Sequence, residues 1–266
     1  MNEPDASIQK GGDPMILRRI AQHLKQQHWT GVFIELVIVV LGVFIGLQVS
    51  NWNEQRQDRG LEVQYLQRLH VDIQRSIDRA NYNIRDMRMQ YRLDGDMLAD
   101  LASCRLDNAG RKRFATGAYF FGMIDSEPLV RGTIDELRSS GRIGLIRDVR
   151  LRTKMANVVV ESDIVSRDMP MIVAHVSRAI FFLQKRIQLD SPPEGLLYDT
   201  IASQGMPEGS YRFDFPALCK DPRVAAVVSN VQVTTFNLIG MTQARLKGYQ
   251  ALLWLIDSDL SRMKGD

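Results

Sequence analysis

The sequence is poor in the residue patterns that carry chemistry. Its two cysteines, Cys104 and Cys219, form no CxxC pair, and His23, His28, His70 and His175 share no metal-ligand spacing with one another or with acids. No HExxH helix, glycine-rich phosphate loop or G-x-S-x-G turn occurs. No catalytic, cofactor-binding or metal-ligating residue is therefore identified, and a hydrolase would have to assemble its residues from distant parts of the chain. A net charge of +3 is small, and the basic residues are spread along helical segments among acids, which excludes a nucleic-acid stripe. Persistent two-residue alternation is also missing, so no sheet is expected.

What the chain does have is an apolar run from Val32 to Val49, broken only by Glu35 and Gln48 and flanked by Trp29 and Trp52. At 1.5 Å rise per residue the tryptophans stand roughly 35 Å apart, the thickness of a hydrocarbon core with its interfacial edges. Residues 31–51 are expected to form a transmembrane helix with Trp29 and Trp52 as interface anchors. A cleaved signal is disfavoured, because about thirty residues precede the run and no A-x-A-like site ends it. Before it, residues 1–12 have the composition of a disordered tail. Residues 13–30 open on Asp13-Pro14 and carry Arg18, Arg19 and Lys25, as a basic juxtamembrane helix would. The lysine and arginine bias favours a cytoplasmic N-terminus. Cys104 and Cys219 both lie beyond the run, where an exported domain would join them in a disulfide; two buried free thiols are the alternative.

Residues 52–266 are expected to fold as one extracytoplasmic helical-bundle domain. Leu66, Leu69, Ile73, Ile77, Ala80, Ile84, Met87 and Tyr91 recur at steps of three or four. With no proline between Val32 and Tyr91, this amphipathic helix should continue directly from the membrane segment. Its seam is either a coiled coil between protomers or one wall of an intramolecular bundle. Tyr65, His70 and Asp72 on the same helix read as solvated or interhelical polar groups. A less regular stretch is expected from Cys104 to Gly132, with a turn at Asp107-Asn108-Ala109-Gly110. Thr133-Ile134-Asp135-Glu136 has capping-box spacing, and Ser139-Ser140-Gly141 should stop the helix it starts. A further helix is expected from about Asp148 to Leu189, with Val149 among its buried residues and Pro170 as a kink or break. Residues 190–222 read as a crossover with one helical turn near Leu196 to Ser203, and a last helix as running from Asp221-Pro222 to Met263. The fold class is thus all-α: one N-terminal transmembrane helix continuous with a long amphipathic helix, then a bundle of about four principal helices.

Within the apolar run, Glu35 is costly unless partnered or hydrated. Either it snorkels at the cytoplasmic edge, or it belongs to a pairing face. At about 100° per residue Glu35, Gly42, Gly46 and Asn53 fall within roughly 20° of one line, and Gly42 to Gly46 is a G-x-x-x-G. That stripe would make a homodimer through the membrane helix.

The segments Glu35-Leu36-Val37-Ile38-Val39-Val40-Leu41-Gly42 and Gly46-Leu47-Gln48-Val49-Ser50-Asn51-Trp52-Asn53-Glu54 resemble the signature of a family of bacterial single-pass membrane proteins catalogued as a domain of unknown function. Thr133 to Gly141, followed by Leu145-Ile146-Arg147-Asp148, looks like that family's downstream element. Ile34 stands where the family has glycine before the glutamate. The resemblance implies membrane anchorage and no established activity. The resulting expectation is a non-enzymatic protein of the bacterial inner membrane that needs no cofactor. Its N-terminus would be cytoplasmic and its bundle periplasmic, binding or scaffolding an envelope protein partner. A sensor-type ligand-binding bundle and an envelope hydrolase are the alternatives.

Overall fold

The computed structural model describes residues 29–124, 129–191 and 198–265. The tail over 1–12 and the juxtamembrane helix over 13–30 lie outside them, save for the backbone of 29 and 30, and so do the Trp29 side chain and Leu196. The described chain is almost entirely helical. Helix α1 is Trp29–Ser103, α2 Asn108–Phe120, α3 Gly132–Ser139, α4 Val149–Gln184, α5 Tyr198–Gln204, α6 Phe215–Lys220 and α7 Pro222–Gly265. A single 3-10 turn, Arg142–Leu145, separates α3 from α4.

Two compact units divide the chain, Met1–Asp58 and Arg59–Asp266. In the first, every described side chain from 31 to 57 is exposed, including Leu36, Ile38, Leu41, Phe44, Ile45, Leu47 and Trp52. Two helices, α1 and α7, are long and apolar enough to cross a membrane. None of the apolar window of α1 is buried, whereas a third (33%) of that of α7 is.

The second unit is built from the stripe of α1. Leu66, Leu69, Ile73, Ile77 and Ala80 pack with Ile134 and Leu137 of α3, Leu151, Met155, Val158 and Val159 of α4, and Tyr249, Leu252 and Ile256 of α7 in one apolar cluster. A second cluster joins Met97 and Leu101 to Phe114 of α2, Leu183 of α4, Phe215 and Leu218 of α6, and Val224, Val228 and Val231 of α7. Burying side chains of this size stabilises by about 1.5–3 kcal/mol each, which explains why the stripe is kept apolar. Polar ties set the register. His70 Nδ1 meets Asp257 Oδ1 of α7 at 2.8 Å, and Gln232 Nε2 donates to the Tyr91 carbonyl at 3.1 Å.

Several expectations need correction. The stretch after Cys104 contains a helix, α2, and the turn expected at 107–110 is its start, with Asp107 Oδ1 accepting from the Gly110 N–H at 2.6 Å. The capping box does not form. Helix α3 is capped two residues earlier, at Arg131, with Gly132 its first residue, because both box residues are engaged by α1. Asp72 accepts from the Thr133 N–H (3.1 Å) and hydroxyl (2.7 Å), while Glu136 pairs with Arg68 and accepts from Tyr65 at 2.9 Å. Gly141, at φ 69°, ends the helix as expected of glycine at that position. Helix α4 passes through Pro170 and stops at Gln184, short of Leu189. Ile187–Leu189 instead pairs antiparallel with Tyr211–Phe213, a two-stranded sheet in which Ile187 faces Phe213. Val149, at the first position of α4, is exposed; Leu151 takes its place in the core.

Candidate functional site

Unsatisfied acids and several arginines meet in a cleft of about 570 Å³, lined by the first residues of the second unit, the 147–150 segment and the end of α7. Glu62 enters it from α1 and is fully buried, because it occupies the position one turn before Leu66 on the core stripe. Ile146, also fully buried, pins the segment leading into α4. The Arg147 N–H consequently donates to Glu62 Oε1 at 2.7 Å, satisfying a backbone donor that no helix uses. Arg147 Nε stands 3.5 Å from Glu62 Oε2, an ion pair without a hydrogen bond.

Asp148 caps α4, accepting from the backbone N–H of Arg150 (2.7 Å) and of Leu151 (3.4 Å). Its other oxygen accepts from Arg150 Nη2 at 2.8 Å and Arg262 Nη2 at 3.1 Å. Those guanidinium contacts, Arg150 first, hold its carboxyl well below the usual carboxylate range. Asp259, one turn after the buried Ile256, pairs with Arg262 through Oδ1, and its Oδ2 has no partner. Burial pushes the carboxyls of both Glu62 and Asp259 up, and the Asp259 charge raises Glu62 further. Four arginines, Arg59, Arg147, Arg150 and Arg262, thus face three acids, two of which keep an oxygen without a hydrogen bond. Arg59 is exposed and is engaged only electrostatically, with Glu62. Among the described residues no group of three His, Cys, Asp or Glu is placed to hold a metal ion.

A smaller hollow of about 310 Å³ is lined by Tyr82, Asp86, Met87 and Tyr198. Its anionic and aromatic face already holds a cation of the chain. Arg85 lies 4.7 Å from the Tyr82 ring centroid and 3.4 Å from Asp86.

The residues singled out from sequence lie elsewhere. Glu35, Gly42, Gly46 and Asn53 are all exposed in the first unit, and a Cβ at either glycine would meet nothing within 4 Å. Trp52 is exposed as well. Cys104 and Cys219 are joined as a disulfide, with Cα atoms 5.4 Å apart. Sequence reasoning missed the cleft because Glu62, Asp148 and Asp259 stand far apart in the chain and share no motif spacing. The available signal was its spacing: Glu62, Leu66 and Leu69, like Leu252, Ile256 and Asp259, continue a core stripe with an acid where an apolar residue belongs. No family model, curated protein or solved structure matches this chain.

Proposed function

We propose that this is a single-pass, membrane-anchored binding or scaffolding protein of the bacterial envelope. Its N-terminus would be cytoplasmic and its helical bundle periplasmic, with no catalytic role. The observation that carries this reading is the contrast between the two apolar helices. The first part of α1 exposes Val32 to Val49 with no core to cover them, a composition that water does not tolerate and lipid does. Helix α7 owes its apolarity to packing, since Val224, Val228, Val231, Leu252 and Ile256 are fully or almost fully buried, so one span suffices. The Asn51-Trp52-Asn53-Glu54 segment, with an indole for the interface and amides for water, suits a helix leaving the bilayer. The presented bundle would be built on the three long helices α1, α4 and α7, with shorter helices packed against them.

The test is a pair of fusions after Asp266. An alkaline phosphatase there should be active and a cytoplasm-dependent fluorescent protein dark. The opposite pattern would overturn the orientation, and extraction of the chain by alkaline carbonate would overturn the anchor.

A further inference from the structure

We infer that the cleft of Glu62 and Asp259 binds a zwitterionic aminophosphate, a primary ammonium two carbons from a phosphate, as in an ethanolamine headgroup. The inference rests on the membrane-anchored reading for a lipid source of that headgroup, and on the cleft alone for the ligand's chemistry. Glu62 and Asp259 are each more than nine-tenths buried, and each holds a carboxylate oxygen without a hydrogen bond, Glu62 Oε2 having only the Arg147 guanidinium 3.5 Å away. Buried acceptors of this kind call for a donor, and two carboxylates facing one cleft call for a cationic one. A metal ion is poorly served, because the described residues provide no three-ligand group. A primary ammonium carries three N–H donors in a compact charge, enough for one bond to each carboxylate.

The other half of the ligand follows from the arginines. Four guanidinium groups against three acids leave positive charge over, and it lies at the rim, where Arg59 is exposed; Arg150 there is already paired with Asp148. Guanidinium forks match phosphate oxygens bidentately. The volume of about 570 Å³ accepts a headgroup of this size. The membrane-anchored reading supplies the lipid source, Arg59 of the cleft following Trp52 by only seven residues in the sequence.

The experiment uses the full chain purified in detergent, so binding is read independently of topology and the two readings can fail separately. One arm counts phosphatidylethanolamine, phosphatidylcholine and phosphatidylglycerol retained in native mass spectra. The other titrates free phosphoethanolamine and phosphocholine by calorimetry. Choline carries no N–H donor and glycerol no cation, so the ethanolamine form should bind at least tenfold more tightly in one arm or both. Preference in the lipid arm alone assigns a headgroup, and preference in the soluble arm alone assigns a free aminophosphate. Glu62→Gln with Asp259→Asn should bring the ethanolamine-to-choline ratio close to one. Should that pair fail to fold, Arg59→Ala, at an exposed position, should weaken ethanolamine and choline forms alike. Equal binding of the two forms by the wild type, tighter binding of glycerol, or no binding in either arm overturns the inference.

Discussion

Asp94 is a carboxylic acid set where α1 should carry an apolar side chain. It follows Met87 and Gln90 on the buried stripe, is itself fully buried, and neither of its oxygens is hydrogen-bonded. Gln90, one turn back, has its amide engaged elsewhere: in the orientation that satisfies both ends, it donates to the Met123 carbonyl at 2.7 Å and accepts from the Gly122 N–H at 2.9 Å. Burial pushes Asp94 up from 3.8 to about 8. Below pH 3.8 folded and unfolded chains both hold the proton; between 3.8 and about 8 only the folded chain does, so stability falls as pH rises through that window. The slope for one such group is at most about 1.4 kcal/mol per pH unit. Glu62 and Asp259 act in the same sense. Denaturant midpoints should therefore be lower at pH 8 than at pH 5, and Asp94→Asn should shrink that difference; an unchanged difference would show that Asp94 is ionised in the fold. Gly122 is constrained differently, by a φ of +74° and by Ile180 and Val176 atoms 2.7–2.8 Å from where a Cβ would stand. Gly122→Ala should cost about 1–3 kcal/mol from the backbone conformation alone, with the clash added, measured as a shift in thermal midpoint.

Among the elements, α1 was the most legible from sequence, because a 3.6-residue repeat of buried side chains is written directly into Leu66, Leu69, Ile73, Ile77 and Ala80. The strand pair was not, since three-residue strands are too short to show alternation, and Ile187 is buried for reasons that lie at Phe213 and Phe215. Neither was the start of α3, because a local capping signal lost to tertiary partners: Asp72, Tyr65 and Arg68 are more than sixty residues away. The cleft residues were hidden by the same cause, charges whose burial depends on distant helices. Prediction at this scale concerns the exposed face of Gly42 and Gly46, where open space at both Cβ positions lets another helix backbone approach. In lipid, close packing and interhelical hydrogen bonds drive pairing, so Gly42→Ile with Gly46→Ile should abolish the signal of residues 14–60 in a membrane two-hybrid assay. Val43→Ile, one position round the helix, should leave it intact. Equal signal from wild type and the double isoleucine variant would make these glycines ordinary lipid-facing residues.

For the whole molecule, the Cys104–Cys219 bridge links the end of α1 to α6, just ahead of α7, across 115 residues of chain. A loop of that length contributes up to about 4.7 kcal/mol by restricting the unfolded chain, with native strain and residual structure reducing it. The second apolar cluster sits beside the bridge and draws on α1, α2, α4, α6 and α7, while the first, around residues 65–80, closes through α3, α4 and α7 without it. Reduction should therefore act unevenly. Hydrogen exchange after mild reduction should rise first in α2, α6 and the opening turns of α7, with 65–80 keeping its protection, because local opening follows the contacts that close each region. A uniform rise would mean that the two clusters open as one unit. The state of the thiols also bears on the compartment, since such bridges persist only where the surroundings are oxidising. Peptide mapping of chain alkylated in intact cells should recover a linked Cys104–Cys219 peptide. Recovery of two alkylated cysteines instead would remove the cysteine argument for orientation and leave it to the lysine and arginine bias alone.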